Sequence, residues 1–185
     1  MEVDTSNSTL NLGEGAPYFS LTGTDDKVYS LSSFKDATLL VVVFTCNHCP
    51  YAQAYERRLI DLAENFTPQA VQFVAINSND GVAFPEDDFT QMKARAVKLA
   101  LPYPYLWDED QRAAKAYDAK CTPEVYLFDS ERLLRYHGRI DDNHRDVQLV
   151  KTHNLRDAIE QLLAGQQVTT PLTHVLGCSI KWKDA

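Results

Sequence analysis

Leu39-Leu40-Val41-Val42-Val43-Phe44-Thr45-Cys46-Asn47-His48-Cys49 runs from an apolar segment straight into two thiols two residues apart. An apolar run without alternation predicts a strand over 38–45 that is covered on both faces. Helical spacing follows over 51–66, where Ala54, Leu59, Leu62, Ala63 and Phe66 can share one face. A buried strand entering a helix with C-x-x-C at the joint puts Cys46 at the helix N-terminus. Unpaired backbone N–H groups and the helix dipole favour a thiolate there. Disulfide exchange needs one thiolate that attacks a sulfur and a second thiol that resolves the mixed disulfide. Cys46 reads as the attacking thiol and Cys49 as the more buried resolving one.

Working outward, residues 1–12 read as a flexible N-terminal arm. Residues 16–21 and 27–31 read as short strands around Gly23-Thr24-Asp25-Asp26. A strand is expected over 71–76. A helix is expected to start near Pro85-Glu86-Asp87-Asp88 and to continue through Met92, Ala96 and Leu99. A short strand over 103–107 and a short helix over 110–117 come next. Residues 125–129 and 133–138 form a hairpin around Ser130-Glu131. The last helix, 154–163, stops at Gly165. One domain over 13–165 is expected, with an extended C-terminal tail over 166–185. Strands alternating with helices, then a hairpin and a closing helix, define an α/β fold around a mixed central sheet flanked by helices.

Charge and composition narrow the function. The chain of 185 residues carries a formal charge of −8, and no basic block offsets it for nucleic acid. No apolar stretch approaches the ~20 residues that span a bilayer. The polar, acidic start Met1-Glu2-Val3-Asp4 does not resemble a secretory signal, so a cytoplasmic location is expected. In a reducing compartment, four cysteines are catalytic, metal-binding or inert rather than a disulfide framework.

Four stretches together resemble the thioredoxin superfamily. They are Gly15-Ala16-Pro17-Tyr18-Phe19-Ser20-Leu21, the strand leading to Cys46, Tyr105-Leu106-Trp107-Asp108, and Thr122-Pro123-Glu124-Val125-Tyr126-Leu127-Phe128-Asp129. Within it, the chain is most similar to the branch shared by redoxin domains (AhpC/TSA-like, peroxiredoxin-related) and cytochrome-maturation thioredoxin-like reductases. The resemblance implies a thioredoxin-like fold with an N-terminal strand extension. It also implies a cis Thr122–Pro123 bond facing the C-x-x-C, with the Thr122 backbone presented to a substrate chain. Glu124 would shuttle a proton to Cys49, and His48 would stabilise the thiolate as the histidine of protein disulfide isomerase does. The implied activity is thiol–disulfide exchange on protein or small-molecule disulfides. Electrons would come from a thioredoxin-reductase or glutathione system, with no organic cofactor and no bound metal.

The chain also departs from these patterns. Pro50 removes one donor and biases Cys49 away from helical angles, which weakens the dipole argument. Peroxiredoxins use P-x-x-x-[TS]-x-x-C, but Val43 and Leu39 stand three and seven residues before Cys46. A thiol peroxidase is therefore the alternative, with Cys49, Cys121 or Cys178 as resolver. A copper or zinc carrier on the same fold is a further one. Cys121 and Cys178 are candidate redox thiols set against buried packing roles, and His137, His144 and His153 are candidates by residue type only.

Overall fold

The computed structural model describes residues 2–3 and 9–183. In chain order the first elements are β1 (Glu2–Val3), β2 (Ser20–Gly23), β3 (Val28–Ser30), β4 (Leu39–Phe44), α1 (Pro50–Phe66) and β5 (Val71–Asn77). Next come α2 (Phe89–Leu99), β6 (Tyr105–Trp107), α3 (Arg112–Tyr117), β7 (Cys121–Thr122) and β8 (Glu124–Phe128). The chain closes with β9 (Leu134–Gly138), α4 (Asn154–Leu163), β10 (Val175–Leu176) and β11 (Cys178–Ser179). Seven strands form one sheet in the order β3-β2-β6-β5-β4-β8-β9. β4 pairs parallel to β5 and antiparallel to β8, so the sheet is mixed, as expected.

All six residues of β4 are buried, because the strand is central and helices cover both faces. Leu40, Val42 and Phe44 face one core with Tyr117, Tyr126 and Phe128. Leu39, Val41 and Val43 face the other, where Tyr55, Leu59 and Ala63 of α1 and Leu155 and Ile159 of α4 pack. Period-two alternation thus serves two cores at once. The buried face of α1 also includes Ala52, Ile60 and Phe66, whereas Ala54 and Leu62 are only half-buried.

Three local expectations shift. Pro85–Asp87 forms a 3-10 turn, and α2 starts at Phe89 under an Asp88 cap whose carboxylate accepts the Gln91 N–H at 2.7 Å. Half of the expected N-terminal arm, residues 1 and 4–8, lies outside the described residues. Of the rest, β1 pairs antiparallel with β10, and Leu10 is buried in the first core. The tail is bound to the domain along much of its length. Thr173 N–H donates to the His137 carbonyl at 3.1 Å, and β11 pairs antiparallel with β7. Among the described residues, no helix is long and apolar enough to cross a membrane.

Candidate active site

The C-x-x-C lies where β4 ends and α1 begins. Pro50 occupies the first helical position, where its missing N–H would have had no partner anyway. Cys49 is therefore the N-cap, with extended angles of φ −70° and ψ 120°. Cys46 sits three residues farther out on a turn, so the helix terminus expected to act on it acts on Cys49 instead. Proline moved the helix start and, with it, the partial positive charge.

The electrostatics follow this shift. The Cys46 S–H donates to the Cys49 sulfur and holds Cys49 well below the ordinary thiol range, against the effect of burial; the Cys178 S–H assists. The same hydrogen bond, burial and the Asp87 carboxylate push Cys46 far up. The two thiols thus titrate as one coupled pair that shares a proton between its sulfurs. Thr122 links both sulfurs to the loop that ends in a cis Thr122–Pro123 peptide. Its hydroxyl lies 3.3 Å from Cys46 Sγ, and its carbonyl accepts the Cys49 S–H at 3.2 Å when that thiol is protonated. Both sulfurs are nearly sealed: Cys46 is 3% exposed and Cys49 0%.

Asn47 and Asp87, which sequence reasoning passed over as site residues, hold the loop. Asp87 is fully buried and accepts the Asn47 N–H at 2.6 Å and the Asn79 amide at 2.7 Å. Asn47 also binds the Glu86 carbonyl through its amide and accepts the Tyr105 hydroxyl at 3.0 Å. His48 Nδ1 pairs with Asp87 at 2.5 Å, and its ring stacks on Phe84. The imidazole is therefore directed at a carboxylate whose negative charge opposes ionisation of Cys46. Asp87 had looked like an ordinary helix-start acid; only the contact between the 85–87 turn and the Cys46 loop gives it this role.

Cys46 Sγ, a His48 ring nitrogen and an Asp87 oxygen lie within 4.8 Å of one another, a donor set of the kind zinc accepts. Binding an ion there would require Asp87 to release donors that now satisfy it.

The Glu124 carboxylate, expected to serve Cys49, is buried and its hydrogen bonds run to other groups. Glu124 lies opposite Phe44 in the β4–β8 register and so faces the first core, 1% exposed. Its carboxylate accepts His137 Nε2 at 2.7 Å, the Tyr126 hydroxyl at 2.9 Å, and the Lys120 and Cys121 N–H groups. Burial alone would raise its pKa, but His137 and the two N–H groups outweigh that and leave it lowered. The Cys121 S–H donates to the same carboxylate, and burial with that negative charge holds Cys121 protonated.

A depressed carboxyl pKa contributes stability above the unfolded value of ~4.3, and that stability is lost as pH falls through the folded value. Glu124→Gln is expected to destabilise the protein by roughly 3 kcal/mol at pH 7, because it breaks a buried pair. The gap from the unsubstituted protein should narrow below about pH 4. Urea denaturation at pH 7 and pH 3.5 measures it; an unchanged gap would mean that Glu124 is not ionised in the fold.

The sheet order, the cis-proline loop and a dithiol at a strand–helix joint define the thioredoxin class of fold. The thioredoxin domain of a thiol-disulfide oxidoreductase from Bacteroides vulgatus superposes with a TM-score of 0.66, covering 84% of this chain and 99% of that one at 14% identity. The chain belongs to the AhpC/TSA family, whose model matches residues 12–137. A chloroplastic peroxiredoxin Q from Populus jackii is 29% identical over 108 residues, 58% of this chain. The chain spans about half the length of that curated relative, 47%. An uncharacterized conserved protein from Geobacillus kaustophilus is 41% identical, with a TM-score of 0.92 over 100% of this chain and 98% of that one. Redoxin and thioredoxin-like family members are oxidoreductases.

Proposed function

We propose that this protein is a thiol–disulfide oxidoreductase that reduces or exchanges protein disulfides through the Cys46–Cys49 dithiol. The observation that carries this reading is that both sulfurs meet one residue of the cis-proline loop: the Thr122 hydroxyl lies 3.3 Å from Cys46 Sγ and the Thr122 carbonyl 3.2 Å from Cys49 Sγ. The dithiol gives up two electrons to an incoming disulfide, whose two sulfurs leave as thiols with protons from the couple and from solvent, and the protein closes a Cys46–Cys49 bridge. A thioredoxin-reductase or glutathione system would reopen it, consistent with work in the cytoplasm.

Reduction of insulin disulfides tests the proposal, with peptide mass mapping after mild oxidation. A Cys46–Cys49 bridge and insulin reduction that disappears in Cys46→Ser are expected. A peroxidase is the second reading, favoured by family membership and by a void of about 30 Å³ that reaches Cys46 beside Thr45 and Tyr105. Against it, Val43 stands three residues before Cys46, where the peroxidatic motif carries threonine or serine. Fast turnover of hydrogen peroxide without insulin reduction would reverse the ranking. Stoichiometric zinc or copper in the purified protein would instead favour a metal carrier.

A further inference from the structure

In this fold the backbone beside the cis-proline is the edge to which an extended substrate would add as a strand. Here the chain's own tail occupies it. Cys178 pairs opposite Thr122 and Ser179 opposite Cys121, antiparallel. Gly177 lies so close that a Cβ there would come 2.3 Å from the Thr122 carbonyl oxygen. Beyond the pairing, Ile180 is buried and its N–H donates to the Lys120 carbonyl at 3.1 Å. The Lys181 N–H then donates to Asn79 at 2.8 Å, and the Lys183 N–H to Gln111 at 2.8 Å. This is a fixed strap, tied on both sides of Cys178.

The strap sets Cys178 against the dithiol. Its sulfur packs in the cluster formed by Cys46, Cys49 and Ala52, and its S–H donates to Cys49. Of the four cysteines, Cys46, Cys49 and Cys121 are buried, and Cys178 alone is partly exposed. A buried couple that exchanges with outside disulfides needs a sulfur that reaches both. We infer that Cys178 is a third redox-active thiol that relays disulfides between solvent and the sealed Cys46–Cys49 couple. This rests on the oxidoreductase reading above.

The steps balance as disulfide exchanges. Cys178 passes its proton to the Cys49 thiolate and attacks one sulfur of an incoming R–S–S–R′. The S–S bond breaks, and R′S⁻ leaves and takes that proton from Cys49. Cys49, ionised again, attacks Cys178 Sγ; RS⁻ leaves to be protonated by solvent, and a Cys49–Cys178 bond forms. Cys46 then attacks Cys49 Sγ and forms the Cys46–Cys49 disulfide. The departing Cys178 sulfur recovers the proton that Cys46 gives up. Burial and the neighbouring Cys49 push the Cys178 thiol up to about 11, so Cys178 depends on Cys49 as its base.

The test uses 4,4′-dithiodipyridine and the full-length protein, with thione release followed by stopped flow and the products mapped by mass. Cys178→Ser should slow formation of the Cys46–Cys49 bridge roughly tenfold or more, since an intramolecular step is replaced by attack on an occluded sulfur. Gly177→Ala should slow it similarly by lifting the strand while keeping the thiol. Cys46→Ser should accumulate a Cys49–Cys178 bridge. A rate in folded Cys178→Ser equal to or above that of the unsubstituted protein would overturn the relay and leave the strap as a cover only. Absence of a Cys49–Cys178 bridge in Cys46→Ser would also overturn it. If the unsubstituted protein forms no Cys46–Cys49 bridge at all, the oxidoreductase reading fails first, and the relay with it.

Discussion

Cys49→Ser is expected to lower the rate of disulfide exchange by roughly three orders of magnitude or more, as removal of a nucleophile does elsewhere. The reason lies at the helix start. Cys49 is the N-cap of α1, and it receives the S–H groups of both Cys46 and Cys178. Without it, Cys178 loses its base, and the Cys46 thiol is left buried beside the Asp87 carboxylate. Cys46→Ser should behave differently: turnover is lost, but one round of attack survives and halts as a trapped disulfide. Single-turnover thiol release separates the two variants. If Cys49→Ser still attacks in one round while Cys46→Ser is inert, the charge belongs on Cys46 after all.

Gly138→Ala is expected to destabilise the fold by about 4 kcal/mol, combining the costs of a strained backbone and of an overpacked contact. Gly138 ends β9 with φ +153°, a conformation that side chains disfavour. An added Cβ would come 2.0 Å from Thr173 Oγ1 and 2.7 Å from the Thr173 carbonyl oxygen. Neither atom can yield freely. The hydroxyl accepts the Arg139 N–H at 3.0 Å and lies 2.8 Å from the Tyr136 hydroxyl, while the Thr173 N–H is bound to His137. For a chain of this size the melting temperature should fall by roughly 8–16 °C. Urea denaturation gives the free energy, and a loss below about 1 kcal/mol would show that the tail moves aside easily at this point.

Much of the fold is legible along the chain because its signals are local. The run from Leu39 to Phe44 can only be buried, and Pro50 can only be tolerated at a helix start. The paired thiols follow from their spacing alone. The facing of Glu124 is not legible in its chain neighbours; the pairing with Phe44 turns it toward His137. Asp87 was missed for a similar reason, since a residue 40 positions from Asn47 becomes its partner only when the 85–87 turn folds over the loop.

The sequence by itself determined an α/β domain built around a covered strand and a C-x-x-C at a helix start, since periodicity and backbone geometry act over a few residues. Tertiary structure alone decided which acid faces the site and where the tail lies. Those outcomes depend on hydrogen bonds and burial between segments distant in the chain, and no local pattern encodes them.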